Sequence, residues 1–200
     1  MLPITVVAEG MTDVHVLTRV LGLVGCSIDV IHGQRGKAEI DKSIGGYNSA
    51  ARFSPWVVLR DLDSDAPCAA ELVLRTLPAS SQWMRLRIAV RAVESWLLAD
   101  AEALSDFLRV RRAIVPPDPD GLADPKGTLV NIARRSRLRA IRQDMVPEVG
   151  MTSRVGPAYS SRITEFARTR WRPEVARERS DSLRRCVESV RSLREAFESR

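Results

Sequence analysis

The sequence is poor in the residues that most often build metal and redox sites. It contains three scattered cysteines, Cys26, Cys68 and Cys186, without a Cys-x-x-Cys pair, and only two histidines, His15 and His32. These numbers argue against a disulfide framework, a zinc site and histidine-based catalysis. Unpaired cysteines suit a reducing compartment, so we expect a cytoplasmic protein.

Long apolar segments are also missing from the chain. Hydrophobic residues make up 44% of it, but no run approaches the roughly 20 residues that a membrane-spanning helix needs. The first apolar segment begins at residue 4, which leaves no room for a secretory signal peptide. We therefore predict neither a membrane segment nor a secretion signal.

Lysine is scarce, with residues only at positions 37, 42 and 126, so the positive charge comes mainly from arginine. That charge is unevenly distributed. Residues 1–100 contain 10 basic and 11 acidic residues, whereas residues 101–200 contain 21 and 14. A slightly acidic half beside a basic half suits a polyanionic ligand, although a GC-rich genome would also favour arginine.

The most informative stretch is an apolar run, Trp56–Leu59, that leads into aspartates at positions 61, 63 and 65. Such a run predicts a parallel strand covered on both faces. Because side chains alternate along a strand, we expect Asp61 and Asp63 to point the same way from its carboxyl end. Two neighbouring carboxylates favour a cation between them, such as Mg²⁺ or Mn²⁺, or a shared proton. The alternative is an acidic turn without a ligand.

A second pair of acids follows the first predicted strand, Ile4–Ala8. Glu9 stands at the strand end and Asp13 lies four residues later, where the two can converge. Strand patterns at 27–31 and 85–91 alternate with helical ones, which predicts a doubly wound, mostly parallel four-stranded sheet. Ligands of such sheets bind at the carboxyl ends of the strands. The acids that we expect to gather there are Glu9, Asp13, Asp61 and Asp63.

Residues 92–108 have the pattern of a helix that begins near Glu94. Glu94 is either a further metal ligand or an ion-pair partner of Arg87 or Arg91. Asp100, in the same segment, is a further acid that could complete a second metal position. We expect Trp96 to lie in the core, where its large apolar area is buried.

A turn-rich segment, Pro116–Gly121, separates the α/β pattern from a helical remainder. We therefore divide the chain into an α/β metal-binding domain, residues 1–112, and a basic, all-helical C-terminal extension, residues 113–200. The segment 181–197 combines an apolar stripe with arginines that either form a solvated face or contact nucleic acid. These predicted contacts are Arg184, Arg185, Arg191 and Arg194, together with Arg35 and Lys37 in the glycine-flanked loop 33–37.

Two short motifs carry a resemblance to known proteins. Glu9-Gly10-Met11-Thr12-Asp13 resembles the first motif of the Toprim fold, and Asp61-Leu62-Asp63 resembles its DxD motif. The run from Arg91 to Asp100 and the later Asp124-Pro125-Lys126 resemble a bacterial family of Toprim-like proteins. That family is similar to the overcoming-lysogenisation-defect (OLD) nucleases and to RloB-like proteins of phage-defence and restriction loci.

The resemblance implies a Mg²⁺- or Mn²⁺-dependent nuclease that hydrolyses DNA or RNA, in phage defence or DNA processing. Glu9 matches the Toprim glutamate, a metal ligand or general acid/base, and Asp13 matches a second acid of OLD-type nucleases. Asp61 and Asp63 match the metal-binding aspartates. Lys126 matches a distal lysine that stabilises transition-state charge. The predicted catalytic residues are therefore Glu9, Asp61 and Lys126. Glu94 matches no Toprim motif and is predicted from its own position as a further metal ligand beside the four acids.

Two other functions stay open at this point. The chain lacks the G-x-x-x-x-G-K-[ST] motif, so any ATPase that works with it, as in full OLD proteins, would be a separate chain. A non-catalytic Toprim-like subunit that binds nucleic acid or regulates such an ATPase is the first alternative. A haloacid-dehalogenase-like phosphatase is the second alternative. In that family the D-x-D motif lies near the N-terminus, whereas in this chain it follows the third predicted strand, which argues against this alternative.

Overall fold

Four apolar segments form one sheet in the computed structural model, which describes all residues, 1–200. The strands are β1 (Leu2–Ala8), β2 (Cys26–Gly33), β3 (Trp56–Asp61) and β4 (Met84–Ala89). They are all parallel and lie in the order β2-β1-β3-β4. The predicted α/β class, the four-stranded sheet and the helical C-terminus are thereby confirmed.

Ten α-helices surround this sheet, and a 3₁₀ turn covers Arg112–Ile114. None of the helices combines the length and the apolar character that crossing a membrane requires. The helices are α1 (Met11–Leu23), α2 (Lys37–Ala50), α3 (Ala69–Thr76), α4 (Val93–Ala99), α5 (Ala101–Leu108), α6 (Pro125–Ala133), α7 (Arg139–Met145), α8 (Tyr159–Thr169), α9 (Pro173–Ala176) and α10 (Asp181–Glu198).

The apolar runs of the central strands are explained by burial on both faces of the sheet. Val6 and Val57 belong to the core that contains α1 and the C-terminal helices, whereas Val7 and Val58 face α2 and α3. All four side chains are fully buried. The chain thus leaves β1 toward one face and β3 toward the other, and a crevice opens between their carboxyl ends.

The C-terminal helices pack on the sheet domain rather than apart from it. One cluster of 40 buried residues includes Ile4 of β1, Trp96 of α4, Phe166 of α8 and Leu183 of α10. The predicted burial of Trp96 is confirmed, because its side chain has 0% exposure. The division at residue 112 stays a prediction, but the two parts share this core.

The helical segment predicted over residues 92–108 is interrupted at Asp100. Asp100 has a non-helical ψ of 69°, and its carboxylate caps α5 by accepting a hydrogen bond from Ala103 N. The same carboxylate binds Arg172, 72 residues later. Asp100 is therefore held in the core as a cap and ion-pair partner. The suggestion that it completes a metal position is wrong.

Candidate functional site

A cleft of about 1270 Å³ lies at the carboxyl ends of β1, β3 and β4. It is lined by residues that follow these strands and by two segments of the helical part, the start of α6 and the first turns of α8. The cleft brings together seven of the predicted site residues: Glu9, Asp13, Lys37, Asp61, Asp63, Glu94 and Lys126.

Main-chain N–H groups hold three of these acids in place. Asp61 N donates to Glu9 Oε1 at 2.9 Å, and Val93 N donates to Asp61 Oδ1 at 3.0 Å. Gly10 N donates to Asp13 Oδ2 at 2.8 Å. Each acid therefore uses one carboxylate oxygen to order the loop around it. The loops after β1, β3 and β4 are linked to one another through these acids.

The pKa values of these acids are raised because the side chains are buried close to one another. Burial raises the pKa of Asp13 to about 7, and the charges on Glu9 and Glu94 add to the effect. Burial likewise raises the pKa of Asp61 well above its usual range, with further contributions from Asp13 and Glu94. Burial also raises the pKa of Glu9, although the hydrogen bond from Asp61 N and the charge on Arg60 oppose this. The cluster thus lacks enough positive charge of its own.

Asp63 lies in the same cleft but in a different environment. The strand ends at Asp61, and Asp63 adopts a left-handed conformation with φ of 47°, so strand alternation does not extend to it. Its carboxylate accepts from Lys37 Nζ at 2.7 Å, and the same ammonium reaches Asp65 at 2.8 Å. Asp63 is therefore paired with a cation, whereas Asp61 is surrounded by acids.

Glu94 connects the acids to the helical part of the protein. Its side chain is buried, and its Oε1 lies 4.0 Å from Lys126 Nζ and 3.3 Å from the hydroxyl of Tyr159. The alternative ion pair with Arg87 or Arg91 is not formed, and the basic partner of Glu94 is Lys126. Glu94 and Lys126, 32 positions apart in the sequence, thus come together at the cleft.

Several groups that line the cleft were not predicted from the sequence. Arg91 donates to the carbonyl oxygen of Asp63 at 2.7 Å, and Arg75 donates to that of Asp65 at 2.6 Å. Arg154 pairs with Asp124 beside Lys126. Five helices, α1, α2, α4, α6 and α8, also begin at the cleft, and helix N-termini carry a partial positive charge. The basic composition of residues 101–200 is a general signal for Arg154, but not for Arg75 or Arg91, which lie in the slightly acidic half.

Other predicted contact residues lie outside the cleft. Arg35 is exposed but is not among the lining residues. On α10, Arg184 and Arg185 pair with Asp181, and Arg194 pairs with Glu198 at the next turn. These arginines, together with Arg191, belong to the far end of the chain and form a surface separate from the acids. Their predicted role in nucleic-acid binding stays a prediction.

The acids fit a hard divalent cation by their chemistry, since Mg²⁺ and Mn²⁺ prefer carboxylate oxygens. The raised pKa values of Asp13 and Asp61 indicate a place where positive charge is needed. However, no three Asp, Glu, His or Cys side chains are arranged so that they could already hold a metal ion. Binding of a cation would therefore require these carboxylates to change position.

Comparisons with known proteins give no relative from which a function could be inferred. No protein-family model, curated protein or solved structure matches the chain. The acids, the neighbouring cations and their surroundings therefore carry the functional argument.

Proposed function

We propose that the protein is a Mg²⁺- or Mn²⁺-dependent nuclease of Toprim/OLD type that hydrolyses phosphodiester bonds in DNA or RNA. The observation that carries the proposal is the group of acids at the carboxyl ends of β1, β3 and β4, in which Asp13 and Asp61 lie among other acids and take part in no ion pair. A structural role alone would favour pairing these charges, as the chain does elsewhere.

Glu9, Asp13, Asp61 and Glu94 are the residues that would hold the cation, with Asp63 beside them. When bound, a divalent cation would polarise a phosphate oxygen and lower the pKa of a nearby water molecule. Asp13, whose pKa is raised to about 7, carries a proton part of the time at neutral pH. Binding of a cation next to it would release that proton, so affinity for the cation should increase with pH.

Positively charged groups beside the acids support a polyanionic substrate. Lys126 lies beside Glu94 with 54% of its side chain exposed, so its ammonium can reach a phosphate while it remains near the acids. Arg154, 80% exposed, lines the cleft together with the N-termini of α6 and α8. We propose that Lys126 stabilises negative charge that develops on the phosphate during hydrolysis.

The arginines of α10 support a second contact with nucleic acid, away from the cleft. Phosphate contacts release counter-ions, so affinity should fall with salt on a slope set by their number. Replacement of these arginines should weaken binding and flatten the salt slope while the acids of the cleft remain intact. The residues to replace together are Arg184, Arg185, Arg191 and Arg194.

The competing proposal is a non-catalytic Toprim-like subunit that binds nucleic acid or regulates a separately encoded ATPase. Two observations favour this alternative. No group of acids is already arranged to hold a metal ion, and the carboxylate of Asp63 is already paired with Lys37. For either function we propose a cytoplasmic location, which the free thiols of Cys26, Cys68 and Cys186 support.

A cleavage assay on plasmid DNA and single-stranded RNA, with Mg²⁺, Mn²⁺ or EDTA, tests the proposal. We expect cleavage only with a divalent cation, and at least about a hundredfold loss in Asp61→Asn, because a ligand and its charge are removed. Asp29→Asn, an exposed position on β2, is the matched control and should keep full activity.

The same proteins should be tested for binding by filter retention. Asp61→Asn should bind nucleic acid as well as the wild type or better, since a repulsive charge is removed. Binding without cleavage in every condition would favour the non-catalytic subunit. Cleavage that persists in EDTA or in Asp61→Asn would contradict the proposed site.

A further inference from the structure

Tyr159, the first residue of α8, contacts two candidate site residues at once. Its side chain is only 2% exposed. Its hydroxyl lies 3.3 Å from Glu94 Oε1, and Lys126 Nζ lies 5.5 Å from the centre of its ring. Glu94 and Lys126 themselves are 4.0 Å apart, so the three side chains form one contact group.

The hydroxyl of Tyr159 has no other hydrogen-bond partner in the protein. A buried hydroxyl without a partner is unfavourable, so the contact with Glu94 is favoured even at 3.3 Å. The carboxylate is the acceptor and the phenol is the donor in this pair. The ring contributes separately, because the negative face of an aromatic ring attracts an ammonium.

We propose that Tyr159 is a positioning residue of the cleft, whose hydroxyl orients the Glu94 carboxylate and whose ring holds the Lys126 ammonium beside it. This inference rests on the proposed function for its catalytic consequence. It assigns to the C-terminal helical part a direct share in the site, since α8 supplies Tyr159 and α6 supplies Lys126. Neither helix follows a strand of the sheet.

Tyr159→Phe separates the two contacts, because it removes the hydroxyl and keeps the ring. We expect kcat with Mg²⁺ to fall about tenfold at an unchanged KM, since contacts to the rest of the substrate are retained. In a Glu94→Gln background the same change should lower kcat less than about twofold, because the carboxylate that the hydroxyl orients has already been replaced. Equal losses in both backgrounds would indicate general destabilisation and would overturn the inference.

Tyr159→Leu removes the ring as well and tests the contact with Lys126. We expect a further loss relative to Tyr159→Phe in the wild-type background, but not in a Lys126→Met background. Thermal unfolding of each variant measures how much stability is lost. Tyr47→Phe is the matched control, since Tyr47 stacks on Trp56 outside the cleft and should leave kcat unchanged.

A crystal structure of Tyr159→Phe tests the positioning independently of any activity. We expect the Glu94 carboxylate to turn away from its wild-type orientation and toward Lys126. An unchanged Glu94 side chain would overturn the inference even if the protein is a nuclease. Conversely, a displaced Glu94 in a protein that cuts no nucleic acid would uphold the positioning and reject the nuclease proposal.

Discussion

Two kinds of buried aspartate occur in this protein, and they have opposite surroundings. Asp100 has 0% exposure and receives hydrogen bonds from Arg172 N, Nε and Nη2 at 3.1, 2.9 and 2.7 Å. Asp13 is 8% exposed, and the charged side chains that act on it, Glu9 and Glu94, are also acids. The first aspartate is fully paired within the chain, whereas the second is not.

The difference indicates which acids stabilise the fold and which serve another purpose. Loss of one partner from a buried ion pair leaves an uncompensated charge, so Asp100 should be needed for stability. A buried acid next to other acids opposes folding when it is ionised. Ionised Asp13 should therefore destabilise the folded protein until a cation binds beside it. Variants that remove each charge should therefore change stability in opposite directions.

Asp100→Asn should cause the largest loss of stability. We expect a loss of about 1–3 kcal/mol in the free energy of unfolding, measured by urea denaturation, because Arg172 loses its buried partner but is itself partly exposed and keeps Glu102. Glu102→Gln is the matched control. Glu102 contacts the same arginine at 2.8 Å but is 61% exposed, so its loss should stay below about 1 kcal/mol. Similar losses of stability in Asp100→Asn and Glu102→Gln would contradict the special role of the buried Asp100.

Asp13→Asn should change stability in the other direction. At pH 8 without divalent cations we expect a gain of about 1–3 kcal/mol, because a buried charge among acids is removed while the amide oxygen can still accept from Gly10 N. Asp106→Asn, an exposed position on α5, should change little. A loss of stability in Asp13→Asn would indicate that Asp13, like Asp100, is a structural acid.

The pH dependence of stability gives a smaller effect of the same origin. Asp13 has a pKa of about 7 in the folded protein against 3.8 as its ordinary value, so the folded state binds more protons between these values. The free energy of unfolding should therefore fall as pH rises from about 4 to 7, by up to about 1.4 kcal/mol per pH unit. Asp13→Asn should flatten this slope. Superimposable profiles for the two proteins would contradict the assignment.

The acids of the cleft were predicted well because their positions follow from local rules. Glu9 and Asp61 come directly after apolar strands, and parallel strands end at the same edge of a sheet. Asp63 was predicted less accurately, since the chain turns at a left-handed residue just after β3 ends. The helix break at Asp100 was missed, and the ion pair that Asp100 forms with Arg172 could not be seen from local patterns because Arg172 lies 72 residues away.

The helical side of the cleft could not be derived from sequence patterns. Tyr159 reaches Glu94 across 65 residues, and its apolar spacing on α8 is that of any packed helix. The short helices α7 and α9 have only seven and four residues, too few to show a period. Lys126 was suggested by resemblance to a known motif rather than by periodicity. Such contacts depend on how α6 and α8 pack, which no local pattern specifies.

A crystal structure of the protein soaked in Mn²⁺, with anomalous data at the manganese edge, tests the central claim most directly. We predict an anomalous peak in the cleft, coordinated by Asp61 and by at least one of Glu9, Asp13 and Glu94, with these carboxylates changed in position. The peak should be absent from Asp61→Asn crystals soaked in the same way. No peak among these acids at saturating Mn²⁺, in crystals where the cleft is open to solvent, would contradict the proposed metal-dependent site.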